Sequence, residues 1–168
     1  MRVYSIRIRR ATCGGLVDGL APYTACRLPS TGSMKIHHLG IAVPSLREAV
    51  PAFERLLGGG PVSEEVVEDQ KVRVAVFHVG EVRLELLEAT APDSPIGRFI
   101  AKGGHGIHHL TLSVPNLREK LGELEHAGVR LIDRAPRVGA GNELIAFLHP
   151  SSTAGVLIEL VEEKTEDE

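Results

Sequence analysis

From Ile36 to Val43 apolar and small residues run along a strand-length segment, and Pro44 closes it. Leu46, Val50, Phe53 and Leu57 then recur at spacings of four, three and four, which predicts one apolar face of a helix. Three more strand-like segments follow, near 62–68, 72–79 and 82–88. The whole pattern then starts again. Leu110 to Val114 reads as a strand, Pro115 closes it, and Leu117, Leu121 and Leu124 make a helix face. Strands are expected after it near 129–133, 143–149 and 155–162. Gly58 and Gly128 stand where a helix end calls for positive φ. Ser45-x-x-Glu48 and Asn116-x-x-Glu119 have the spacing of a capping box.

The two halves are copies. Residues 37–55 and 108–126 align at an offset of 71 with nine of 19 positions identical, and both contain His-His-Leu. His78 and His149 keep that offset. Glu85 and Glu159 correspond at 74, so a three-residue turn is inserted within Ser151–Ala154. Between the copies, Asp93-Ser94-Pro95 starts a short helix near 95–101, with Ile96, Phe99 and Ile100 on one face. The expected fold is α+β: two tandem β-α-β-β-β modules, 34–88 and 105–163, whose concave faces form a metal-binding cleft.

Composition narrows the partners. The 168-residue chain is 43% hydrophobic and 24% charged, a globular balance. It has no Trp, four Phe and two Tyr, which disfavours stacking on single-stranded nucleic acid. Residues 1–33 hold five arginines against Asp18 alone, so the rest of the chain is acidic and poorly suited to a phosphate backbone. No run of 18 apolar residues suggests a membrane span. Both cysteines, Cys13 and Cys26, fall in the basic leader, so neither a disulfide nor a thiolate is expected in the domain. The leader reads as an extension outside the fold, with a cytoplasmic location. The competing reading is a transit peptide to the mitochondrial matrix. Residues 164–168 are an acidic tail.

Strand alternation puts His38 with Gly40 and Ala42, and His109 with Thr111 and Ser113. On the last strands, Arg83, Glu85 and Leu87 share a face, as do Leu157, Glu159 and Val161. Glu85 and Glu159 interrupt apolar runs, where an unpaired carboxylate is costly to bury. A single strand histidine is more often a satisfied polar residue than a ligand. The same His–Glu pair at matched positions of both copies argues for one divalent ion held by His38, Glu85, His109 and Glu159. His37 and His108 are expected on the opposite face, His105 and His126 on the surface, and His78 and His149 at strand ends, where they line the cleft or satisfy a turn.

This pattern resembles the vicinal oxygen chelate (glyoxalase) superfamily, and within it the methylmalonyl-CoA epimerase family. The segments that carry the resemblance include His38-Leu39-Gly40-Ile41-Ala42-Val43, Asp93-Ser94-Pro95-Ile96, Phe147-Leu148-His149-Pro150 and Gly155-Val156-Leu157-Ile158-Glu159-Leu160. The resemblance implies an epimerase of an acyl-CoA, the same four metal ligands, cobalt or manganese as the ion, Glu159 as an acid/base, Gln70 and His149 as substrate contacts, and a homodimer. It also implies a second acid/base, which some members carry as Glu where this chain has Val74. Val138–Asn142 matches a segment that covers the cleft, with Asn142 in place of a glycine. A glyoxalase I type lyase, a ligand-sequestering protein and an extradiol dioxygenase are the alternatives on this fold.

Overall fold

The computed structural model describes residues 34–163. The leader with its two cysteines and the acidic tail lie outside the described residues. The elements are β1 (Lys35–Ala42), α1 (Leu46–Leu57), β2 (Ser63–Val67), β3 (Val72–Val79), β4 (Val82–Ala89), α2 (Pro95–Ala101), β5 (Gly106–Val114), α3 (Leu117–His126), β6 (Arg137–Val138), β7 (Leu144–Leu148) and β8 (Ile158–Glu162). The eight strands form one mixed sheet in the order β2-β3-β4-β1-β5-β8-β7-β6, curled into a half-barrel. In each copy the first strand pairs parallel with the last, β1 with β4 and β5 with β8. β1 and β5 pair antiparallel and join the two copies along the middle of the sheet.

The helix faces read from the spacing are the ones that pack. Leu46 is buried with Val43, Ala75, Phe77 and Leu86, and Val50, Phe53 and Leu57 lie against that cluster. Leu117 and Leu121 are buried with Ala146, Leu148, Ile158 and Leu160, and Leu124 joins them. Helix α2 packs Ile96, Phe99 and Ile100 against Ala42, Val72, Val74, Val76 and Leu87. Ser94 caps α2 by accepting from the Gly97 N–H at 2.9 Å.

Of the two expected helix caps one forms, and both helices gain a longer-range contact. Ser45 makes no side-chain cap bond, and Asn116 accepts from the Glu119 N–H at 3.0 Å. The first free N–H of each helix goes to the last strand of its own copy: Leu46 N–H to Glu88 Oε2 at 2.5 Å, and Leu117 N–H to Glu162 Oε2 at 2.7 Å. A carboxylate at a helix N-terminus also meets the positive end of the dipole. Gly58 and Gly128 both adopt positive φ at the helix ends, at 77° and 80°.

Two expected strands differ. Residues 129–133 make only the single bridge Leu131–Leu148, and the strand that pairs there is the two-residue β6. Asp133 takes the place of a strand partner: its Oδ2 accepts the Phe147 N–H at 2.9 Å. β8 begins at Ile158 rather than 155, because Ala154 and Gly155 still hold the left-handed φ of the inserted turn.

Candidate metal centre and cleft

The inner face of the sheet lines a cleft of about 580 Å³. His38, Arg83, Glu85, Leu87, His109, Leu157 and Glu159 line it, and so do Gln70, Val74 and His78. His38 Nε2 lies 3.2 Å from His109 Nε2 and 3.3 Å from Glu159 Oε2. His109 Nε2 lies 3.6 Å from the same Glu159 oxygen. Three donor atoms, from β1, β5 and β8, thus form one small triangle, and all three residues are buried.

This triangle fits a metal ion. Donors bound at ~2.1 Å to one ion in octahedral or tetrahedral geometry stand roughly 3.0–3.4 Å apart. The charges fit as well. Burial, only partly offset by Glu159, lowers the pKa of His109 to about 4, so near neutrality its ring is an uncharged ligand. Burial would raise the Glu159 carboxyl, but the His38 hydrogen bond, the nearby imidazoles and Thr111 outweigh it and hold it below the ordinary carboxylate range. Thr111 Oγ1 donates to Glu159 Oε2 at 2.6 Å and stands 2.8 Å from His38 Nε2. A buried carboxylate and two imidazole nitrogens facing one another form a donor set able to hold a cation among them.

Glu85 lies beside this triangle, with its Oε1 3.6 Å from His38 Nδ1, on the other edge of the ring. Burial raises its pKa, against the pull of His38 and Arg83. The copies differ in how they make room. A Cβ at Gly40 would stand 2.1 Å from the His109 ring, so His109 can lie only over a glycine.

His37 and His108 depart from the expected opposite face. The β1–β5 pairing slips between Ile36 and His38, and again between Gly40 and Ile41, where His108 is passed over. Each is the extra residue of a β-bulge, and a bulge breaks the two-residue alternation. The His37 and His38 Nδ1 atoms come within 3.1 Å, and those of His108 and His109 within 2.9 Å. His108 lines the cleft. His149 does not: its ring accepts the Ser151 N–H at 3.1 Å and caps the turn that the insertion created. The residue of β7 that reaches the cleft is Phe147. His105 and His126 are exposed.

Val74 lines the cleft wall at the position where the resemblance implies a second acid/base, and its cross-strand neighbour is Glu65. Asn142 takes a φ of 58°, next to Gly141 at 62°, so the turn of the covering segment forms with Asn in place of glycine. Sequence reasoning missed Thr111 as a partner of Glu159 and the Glu88 and Glu162 caps. Glu88 and Glu162 repeat the offset of 74, a signal that was there to find.

Comparison with known proteins agrees with this geometry. Residues 37–147 match the model of the Glyoxalase/Bleomycin resistance protein/Dioxygenase superfamily. The chain is 45% identical over 130 residues to the uncharacterized protein YqjC of Bacillus subtilis, covering 77% of this chain and 93% of that one. It is 34% identical over 136 residues to the human mitochondrial methylmalonyl-CoA epimerase, covering 77% of each chain. Among solved structures, a Streptomyces coelicolor methylmalonyl-CoA epimerase in complex with 2-nitronate-propionyl-CoA superposes with a TM-score of 0.72 at 34% identity, over 78% of this chain and 95% of that one. This chain therefore belongs to the Glyoxalase/Bleomycin resistance protein/Dioxygenase superfamily, and within it its similarities lie with the methylmalonyl-CoA epimerases.

Proposed function

We propose that this protein is a methylmalonyl-CoA epimerase that inverts C2 of its substrate by taking the α-proton from one face and returning one to the other. The observation that carries the reading is Glu159: a buried carboxylate, held ionised by Thr111 and the imidazoles, on the floor of an acyl-sized cleft. Relatives whose names give this activity support it.

His38, His109 and Glu159, with Glu85 beside them, would hold a divalent ion; cobalt or manganese is the expected choice. Such an ion supplies Lewis-acid stabilisation of the negative charge that develops on the thioester oxygen. Glu159 accepts the proton as the Cα–H bond breaks, and the electron pair moves toward the thioester carbonyl. Thr111 aims the carboxylate by its hydrogen bond to Oε2. Glu85 stands on the other side of the His38 ring with its pKa raised by burial, and is the group able to return a proton from the first copy's side. The apolar wall of Val74, Val76, Leu87 and Ile96 keeps water from the carbanion. Gln70 at the cleft margin contacts the substrate in this reading.

The test is solvent deuterium incorporation at C2 of methylmalonyl-CoA, followed by mass spectrometry. The wild type exchanges, and Glu159→Gln loses at least a hundredfold in rate. Turnover of the methylglyoxal–glutathione adduct, with no exchange into methylmalonyl-CoA, would replace this reading by the lyase.

A further inference from the structure

Each ligand histidine has a second histidine behind it. His38 and His109 bring their Nε2 atoms to each other and to Glu159. Nδ1 lies on the other edge of each ring, and in both copies it meets the imidazole of the preceding residue. His37 Nδ1 stands 3.1 Å from His38 Nδ1, and His108 Nδ1 stands 2.9 Å from His109 Nδ1. Regular alternation would send these neighbours to opposite faces of the sheet. The two register slips of the β1–β5 pair bring them together. Both backing histidines are half-buried, and both contacts occur at the repeat offset of 71.

The protons settle which ring donates. A nitrogen that faces a metal ion keeps its lone pair, so Nε2 of His38 and of His109 carries no hydrogen. The one proton of each ring then sits on Nδ1 and is donated. His37 and His108 accept it through a bare Nδ1, which leaves their own proton on Nε2 and both rings uncharged. A carboxylate in that place would also orient the ligand. This centre already holds Glu159, with Glu85 beside it, and Glu85 Oε1 is 3.6 Å from His38 Nδ1, beyond hydrogen-bond length. Further anions would offset the charge of a divalent ion, whereas an imidazole orients without adding charge.

The backing rings are fixed in turn, and here the copies differ. Arg83, in register with His38 on β4, places Nη2 3.1 Å from both His37 ring nitrogens, a donor that the bare Nδ1 can also accept. Phe99 of α2 meets the His108 ring edge to face, with centroids 4.9 Å apart and planes at 87°.

We propose that His37 and His108 are positioning residues of the metal centre: each accepts the Nδ1–H of the ligand histidine that follows it, fixes its tautomer and ring orientation, and so presents Nε2 to the ion. This rests on the metal-assisted reading above, and it accounts for the doubled histidine of both copies.

Two substitutions at each position separate the hydrogen bond from the shape of the ring. Asn keeps an acceptor near the place of Nδ1, and Phe keeps a ring without one. Cobalt titration of the metal-stripped proteins, followed by visible absorption, reads the affinity. His108→Phe and His37→Phe weaken cobalt binding about ten- to hundredfold, and the Asn variants stay within about threefold of wild type. Phe variants that bind as wild type does, or Asn variants as weak as the Phe ones, overturn the assignment. The tautomers are read in the wild type itself, so the assignment stands or falls even where a variant does not fold. In the nitrogen-15-labelled, zinc-loaded protein the imidazole shifts place the proton on Nδ1 of His38 and His109 and on Nε2 of His37 and His108. A proton on Nδ1 of either backing ring overturns it. A wild type that binds neither ion overturns the metal centre and the proposed function with it. These tautomers in a protein that exchanges no deuterium into methylmalonyl-CoA support the assignment and overturn the epimerase reading alone.

Discussion

At the scale of single residues, the centre depends on small differences between matched positions. Gly40 and Thr111 occupy equivalent places, yet one yields space to His109 and the other orients Glu159. Gly40→Ala should therefore push the His109 ring aside and weaken divalent-ion binding by ~10–100-fold. Titration of the metal-stripped variant with cobalt, followed by absorption, checks this. The histidines also set a pH response. In the metal-stripped protein burial holds His37 and His109 near 4, against 6.5 when unperturbed. Between those values the unfolded chain binds protons that the folded chain refuses, so stability rises with pH and is lost as pH falls from about 6.5 toward 4. Glu85 works in the opposite sense, since burial keeps its proton on above 4.5. Comparison with a variant isolates the histidine part. His37→Asn should flatten the dependence of unfolding free energy on pH in this window, by on the order of 1 kcal/mol given that His37 is only partly buried, as read from urea unfolding at each pH. That His38, His109 and Glu159 come together was legible in the sequence, because duplication repeats the His–Glu pair. The contacts of His37 and Arg83 were not. A bulge is a property of register between two strands, and nothing in the composition of one strand reveals it.

At the scale of elements, each helix is tied to the far end of its own copy. Glu88 and Glu162 leave the last strands and reach the first N–H of α1 and α3, 42 and 45 residues away in sequence. Replacing either by Ala should cost about 1 kcal/mol, typical of a lost helix cap, and the midpoint of urea unfolding measures it. Ser45→Ala should cost less, since Ser45 makes no cap bond. The helix faces were legible from apolar spacing, because the period of a helix is local. The Asn116 cap was legible from its local spacing, but the Glu88 and Glu162 contacts were not, because their partners are long-range. The same holds for the strand expected at 129–133. Its apolar pattern is real, but Asp133 and Pro136 limit it to one bridge before β6.

At the scale of the whole molecule, the first copy supplies His38 and the second His109 and Glu159, so neither copy holds the donor triangle alone. Divalent ion added to the stripped protein should slow amide exchange in β1 and β4 together with β5 and β8. It should also raise stability by ~2.7 kcal/mol at a free ion concentration one hundred times Kd. Protection confined to one copy would contradict a shared centre. The halves share more than ligands. The bulged histidine, the bulged strand's neighbour on the cleft floor and the long-range glutamate cap all occur in both. Features present in both descendants of a duplication are most simply inherited from the parent. A single ancestral module then already had the kinked strand and the tethered helix, and two such modules meeting edge to edge would have presented two equal His–Glu pairs across a dyad. Such a symmetric assembly treats both faces of a bound molecule alike. Arg83 opposite Leu157, and Gly40 opposite Thr111, are the later departures that gave the fused chain a left and a right.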